Sequence, residues 1–101
     1  YVTYVFNTYI CNMAQLIQSQ QILDRCRSRL NMIYYAIHAK HDWNEYGKYY
    51  ERILDSLDTI ENSDLFSENL RNVAYVLQTE IMNDNLSVDT IEKMYQLMDQ
   101  H

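Results

Sequence analysis

Apolar residues recur at intervals of three and four along nearly all of this chain, the spacing that puts them on one face of an α-helix. Five segments follow from it. Val2, Val5, Phe6, Tyr9, Ile10, Met13, Leu16 and Ile17 form the first stripe, and Leu23, Cys26, Leu30, Ile33 and Ile37 the second. Tyr46, Tyr50, Ile53, Leu57 and Ile60 make the third. Phe66, Leu70, Val73, Leu77 and Ile81 make the fourth, and Ile91, Met94, Leu97 and Met98 a shorter fifth.

Local chemistry places the boundaries. Asp42 is a cap for the third helix, with Glu45 three residues on as in a capping box. Asn62 or Ser63 caps the fourth, and Ser87 the fifth, where Asp89 sits near the positive helix end. The break at Gln20 to Leu23 has no stop signal, so the first two helices are nearly continuous. "HAKHDW" and "NDNLS" are turns about 43 residues apart. Loops this short make neighbouring helices antiparallel and predict two stacked hairpin units.

Composition agrees with an all-α fold. The chain has no proline and one glycine, the residues on which tight turns depend, and 48% of its 101 residues are hydrophobic. The length fits one domain, residues 1–101. Because the chain opens on Tyr1 with helical periodicity already established, it is expected to be a fragment lacking an N-terminal segment. No apolar run is long enough for a membrane span, and no signal peptide is visible. Cys11 and Cys26 form no CxxC pattern, and a reducing cytoplasm is the expected location.

Charge narrows the partners. Residues 1–41 carry four cations against Asp24, whereas residues 42–101 carry four cations against thirteen acids, for a net of −6. So acidic a chain repels phosphate backbones, and nucleic acid is not its expected partner.

The stretch HDWNEYGKYYERIL (41–54) holds the only Trp, the only Gly and three of the ten tyrosines. Asp42, Trp43, Glu45, Tyr49, Tyr50 and Leu54 resemble the second helix of a tetratricopeptide hairpin, with Leu30 and Ile33 matching its first helix. Tyr46, Ile53 and Tyr34 depart from that pattern, since they stand where the family has small residues. The rings then fill a wider helix spacing, and Gly47 is expected to accommodate a close backbone or ring.

A longer resemblance covers about residues 5 to 99. "AIHAKHDWNEYGKYYERIL", "IENSDLFSENLRNVAYVL" and "NLSVDTIEKMYQLMD" resemble the C-terminal helical-repeat domain of Rgg/GadR/MutR-type transcriptional regulators. That resemblance implies a right-handed α-superhelix that dimerises and senses a short peptide or protein on its surface. DNA would be bound only by a helix-turn-helix in a segment absent from this chain. Peptide contacts would come from Arg27, Asn31, Tyr34, Asn69, Asn72 and Tyr75, of which the asparagine amides can both donate and accept.

No chemistry-bearing motif competes with a binding role. There is no phosphate-binding glycine loop, no GxSxG elbow and no supported Cys–His pair, so no catalytic residue or cofactor is assigned. His38, His41 and Asp42 are too few to hold a metal, and none is assigned. Asp55 and Asp58 read as a solvated acidic face. The alternative function is a small all-α protein-interaction bundle with no DNA-linked role. Tyr1, Tyr4 and Thr8, with Cys11 and Gln15, lie opposite the first apolar stripe and form its candidate partner face. Parallel, regularly displaced hairpins would favour the regulator, and a central helix wrapped by others would favour the bundle.

Overall fold

A computed structural model describes residues 2–39 and 47–101, with side chains from Ile10 onward. Four helices make up the described chain: α1 Val2–His38, α2 Gly47–Glu61, α3 Glu68–Met82 and α4 Val88–Asp99. No strand occurs among the described residues.

The two expected N-terminal helices are one, reducing five to four. Gln18, Gln20, Gln21, Ile22 and Leu23 all tolerate helix, and neither glycine nor proline interrupts them. Ser19, the cap-type residue at the expected break, instead donates its hydroxyl back to the Leu16 carbonyl at 2.9 Å, a bond made inside a continuing helix.

α1 spans 37 residues, roughly 55 Å at 1.5 Å per residue. The molecule measures 59 × 22 × 19 Å, so this helix runs nearly its full length. The other three have 15, 15 and 12 residues and match only its C-terminal half.

The helices close into a ring. α1 packs on α2, α2 on α3, α3 on α4 and α4 back on α1; among the described residues the diagonal pairs α1/α3 and α2/α4 do not pack. Arg27 meets Asp99 and, one turn on, Asn31 meets Tyr95, so α1 and α4 run in opposite directions. Neither expected geometry describes this ring: α4, not α3, lies on α1, and no helix is enclosed by the other three.

Four of the five stripes supply the core. Leu23, Cys26, Leu30 and Ile33 face Ile53, Leu57 and Ile60, then Leu70, Val73, Leu77 and Ile81, then Ile91, Met94 and Met98. Phe66 is buried ahead of α3. Each such Leu or Ile contributes about 1.5–3 kcal/mol through removal from water.

Two local expectations need correction. α3 is capped by Ser67, whose Oγ accepts from the Leu70 amide at 3.2 Å. Asn62 instead closes α2, donating to the Asp58 carbonyl at 2.9 Å, and Ser63 accepts from the Leu65 amide within the loop. The helix starts late because Phe66 must first be seated in the core. Among the described residues Gly47 has open space where a Cβ would project, so none of them makes the close approach expected there. Ser87 does stand at the N-cap of α4, without a side-chain cap bond, and Asp89 lies in the first turn. In the turn at 83–87 Asp84 takes φ 53°, a left-handed conformation that Asp tolerates. Asp42, Trp43, Glu45 and Tyr46 lie outside the described residues. No helix among the described residues is long and apolar enough to cross a membrane.

Candidate functional site

The six residues expected to contact peptide separate into two sets. Arg27, Asn31 and Tyr34 lie along the α1–α4 seam. Arg27 is paired with Asp99 at 2.8 Å, and Asn31 accepts a hydrogen bond from the Tyr95 hydroxyl. Tyr34 stacks edge-on against His38, with ring centroids 4.3 Å apart, and against Tyr95 at 6.0 Å. These side chains are committed to holding two helices together. Asn69, Asn72 and Tyr75 are exposed on α3, which does not pack on α1. No single groove brings the two sets together.

Burial raises the Tyr95 phenol to about 12, and the neighbouring Tyr34 and Cys26 push the same way against the lowering charge of Arg27. Burial likewise lifts the Cys26 thiol to about 12, opposed by Arg29 and Arg27. A thiol so placed is a core hydrophobe and a poor nucleophile. Tyr50 on α2 is raised to about 12 by burial and then by the charge of Asp84. Among the described residues no three His, Cys, Asp or Glu side chains come close enough to hold a metal ion. His41 and Asp42 lie outside those residues.

The unexpected feature is the N-terminal half of α1. Every residue from Ile10 to Gln18 is exposed, among them Ile10, Met13, Leu16 and Ile17 at 44–59%. The described part of the stripe read as a core face, Ile10 to Ile17, therefore meets no core among the described residues. At 3.6 residues per turn, Ile10, Met13 and Ile17 point about 150° away from Leu23, Cys26, Leu30 and Ile33. One unbroken helix thus carries two apolar faces in different directions, exchanging near Ser19, which is buried where α1 enters the bundle. The signal was present in the sequence: phasing the apolar residues of 2–17 and 23–37 separately gives two directions, roughly 110° apart.

The arm has a second property. Residues 1–23 contain no Asp, Glu, Lys, Arg or His in a chain of net charge −6. Its apolar stripe is thus flanked by neutral Asn and Gln side chains. Of the residues expected to form a partner face, Tyr1 lies outside the described residues and Tyr4 and Thr8 are described only as helix backbone. Cys11 and Gln15 are exposed.

A third surface lies between α1 and α2, where a cavity of about 500 Å³ is lined by Arg25, Arg29 and Arg52 together with Asp24, Met32 and Tyr49. Arg29 is held in place there: its Nη1 donates to the Arg52 carbonyl at 2.9 Å and to the Ser56 hydroxyl at 2.7 Å. Lys48 Nζ and the Arg52 guanidinium lie 5.3 and 5.9 Å from the Tyr49 ring centroid.

Comparison of the chain with protein-family models, with curated proteins and with solved structures finds no match in any of the three.

Proposed function

We propose that this chain is a protein-interaction module that pairs with a second copy of itself through the α1 arm and performs no chemistry. The observation that carries the reading is the reversed apolar stripe Ile10, Met13 and Ile17, with Leu16 at its flank. A spacing of three and then four residues is the register of a two-stranded helical seam. Large apolar side chains left half exposed in a row are the usual mark of an interface.

The occupant follows from charge. An acidic second copy is repelled by the rest of this chain, but not by an arm without a single formal charge. An arm of identical sequence offers the same neutral, apolar stripe, so an isologous contact closes with nothing left unpaired. In the terms of the transcription-regulator resemblance, the arm serves as the dimerisation element, and DNA contact belongs to a segment outside these residues. No observation of comparable weight favours tetratricopeptide-like stacking or peptide capture, since α4 rather than α3 lies on α1 and the six candidate contacts are divided.

Light scattering after size-exclusion chromatography tests the reading. Twice 12.2 kDa is expected, and the double substitution Ile10→Asp with Ile17→Asp is expected to give the single mass and to melt no lower than the wild-type chain diluted to its single mass. A wild-type chain that stays at the single mass at about 500 μM would overturn it, since associations weaker than millimolar fall below about −4 kcal/mol in strength.

A further inference from the structure

We propose that the α1–α2 groove binds a compact dianion carrying a small apolar body, of the class of a phosphate monoester or a dicarboxylate. Three of the five arginines in this acidic chain line one cavity. Arg25 and Arg29 stand four residues apart on one face of α1, and Arg52 faces them from α2. Gathering like charges is unfavourable unless something offsets them, and the acids at hand offset only part. Arg29 has Asp55 at 3.8 Å, and Asp24 lines the groove. With Lys48 beside Tyr49, four cations stand against two carboxylates, an excess that one dianion neutralises.

The side chains differ in readiness. Arg29 is oriented by its bonds to Ser56 and the Arg52 carbonyl, so its remaining N–H groups point in a fixed direction. Arg25 makes no hydrogen bond or ion pair among the described residues, and the Arg52 guanidinium meets only the Tyr49 ring there. Guanidinium forks match paired oxygens of phosphate and carboxylate alike. Met32, which is 38% exposed, and the half-buried Tyr49 add an apolar wall. The volume exceeds what a bare oxyanion fills and lies in the range of small-ligand pockets. The acidic surface of residues 42–101 turns long polyanions away, leaving small ligands.

Nuclear magnetic resonance titration of the whole chain at low salt, with phenyl phosphate, inorganic phosphate, succinate and neutral phenol as probes, tests the proposal. Amide shifts confined to residues 24–32 and 48–56 are expected with phenyl phosphate or succinate, and whichever binds more tightly identifies the source of the dianion. Arg25→Gln and Arg52→Gln should each weaken that binding about tenfold, the loss of one charged fork, and Arg71→Gln should leave it unchanged. Phenol shifting the same amides as strongly, inorganic phosphate binding as tightly as both larger anions, or both variants binding as tightly as the unsubstituted chain would overturn the proposal. The arm substitutions leave this groove intact, so its outcome is independent of dimerisation.

Discussion

Arg29 reaches from α1 to donate to the Ser56 hydroxyl on α2 at 2.7 Å, joining the two helices by a polar contact at the edge of an apolar seam. Ser56 is buried, so a partner removed from one side leaves a desolvated group on the other. Arg29→Met is expected to destabilise the bundle by about 1–2 kcal/mol, and Ser56→Ala by about 1 kcal/mol. The double variant should cost less than the two combined. Urea unfolding of the four chains measures this.

Removal of residues 1–17 is expected to leave the bundle standing. None of the described side chains in that stretch is buried, whereas the core begins at Leu23. Circular dichroism, at a dilution where the full chain has its single mass, should show a loss of helix in proportion to the residues removed, with the melting midpoint moved by only a few degrees, about 1 kcal/mol or less. A collapse of the cooperative transition would assign the arm a place in the core.

Ser67→Ala should destabilise α3 by about 1 kcal/mol, the usual loss of an N-cap oxygen. Ser63→Ala should cost less, because its bond to Leu65 serves the loop alone. Thermal melts of the pair distinguish the cap observed from the one expected four or five residues earlier.

Gly47→Ala should stabilise α2 by about 0.5–1 kcal/mol, since among the described residues nothing lies where the methyl group would project and its φ is not positive. A destabilised variant would reveal a contact made by the residues preceding it.

Alkaline pH is expected to weaken the fold through Cys26, Tyr50 and Tyr95. Each has a folded pKa raised to about 12 from 9.0 for the thiol or 10.0 for the phenols. The folded chain therefore holds protons that the unfolded chain releases above those values. Their contribution is complete below pH 9, declines first through Cys26 and then through the tyrosines, and is gone near pH 12. Melting temperatures across that range measure it, and Cys26→Val should delay the onset by about one pH unit. In the native chain a thiol reagent should label exposed Cys11 and spare Cys26.

Much of the fold was legible in the spacing of apolar residues. Leu23, Cys26, Leu30 and Ile33, and the corresponding stripes through Ile53, Leu70 and Ile91, read directly as buried faces because helical period and burial are two views of one constraint. The turn at 83–87 was legible too, since Asn and Asp accept the backbone conformations it needs. The start of α3 was not: Asn62, Ser63 and Ser67 are all competent caps, and the choice falls to where Phe66 can reach the core.

Periodicity along the chain determined by itself that the protein is helical and which residues share a helix face. It left undecided what each face meets. Ile10, Met13 and Ile17 have the same local pattern as Leu23, Cys26 and Leu30, yet one stripe is half exposed and the other buried. The difference arises because three short helices cover only the C-terminal half of a helix twice their length, and because an unbroken α1 carries the rotation between its two stripes rigidly from one end to the other. The arginine groove likewise exists only once α2 lies beside α1, since Arg52 is more than twenty residues from Arg25 and Arg29 along the chain.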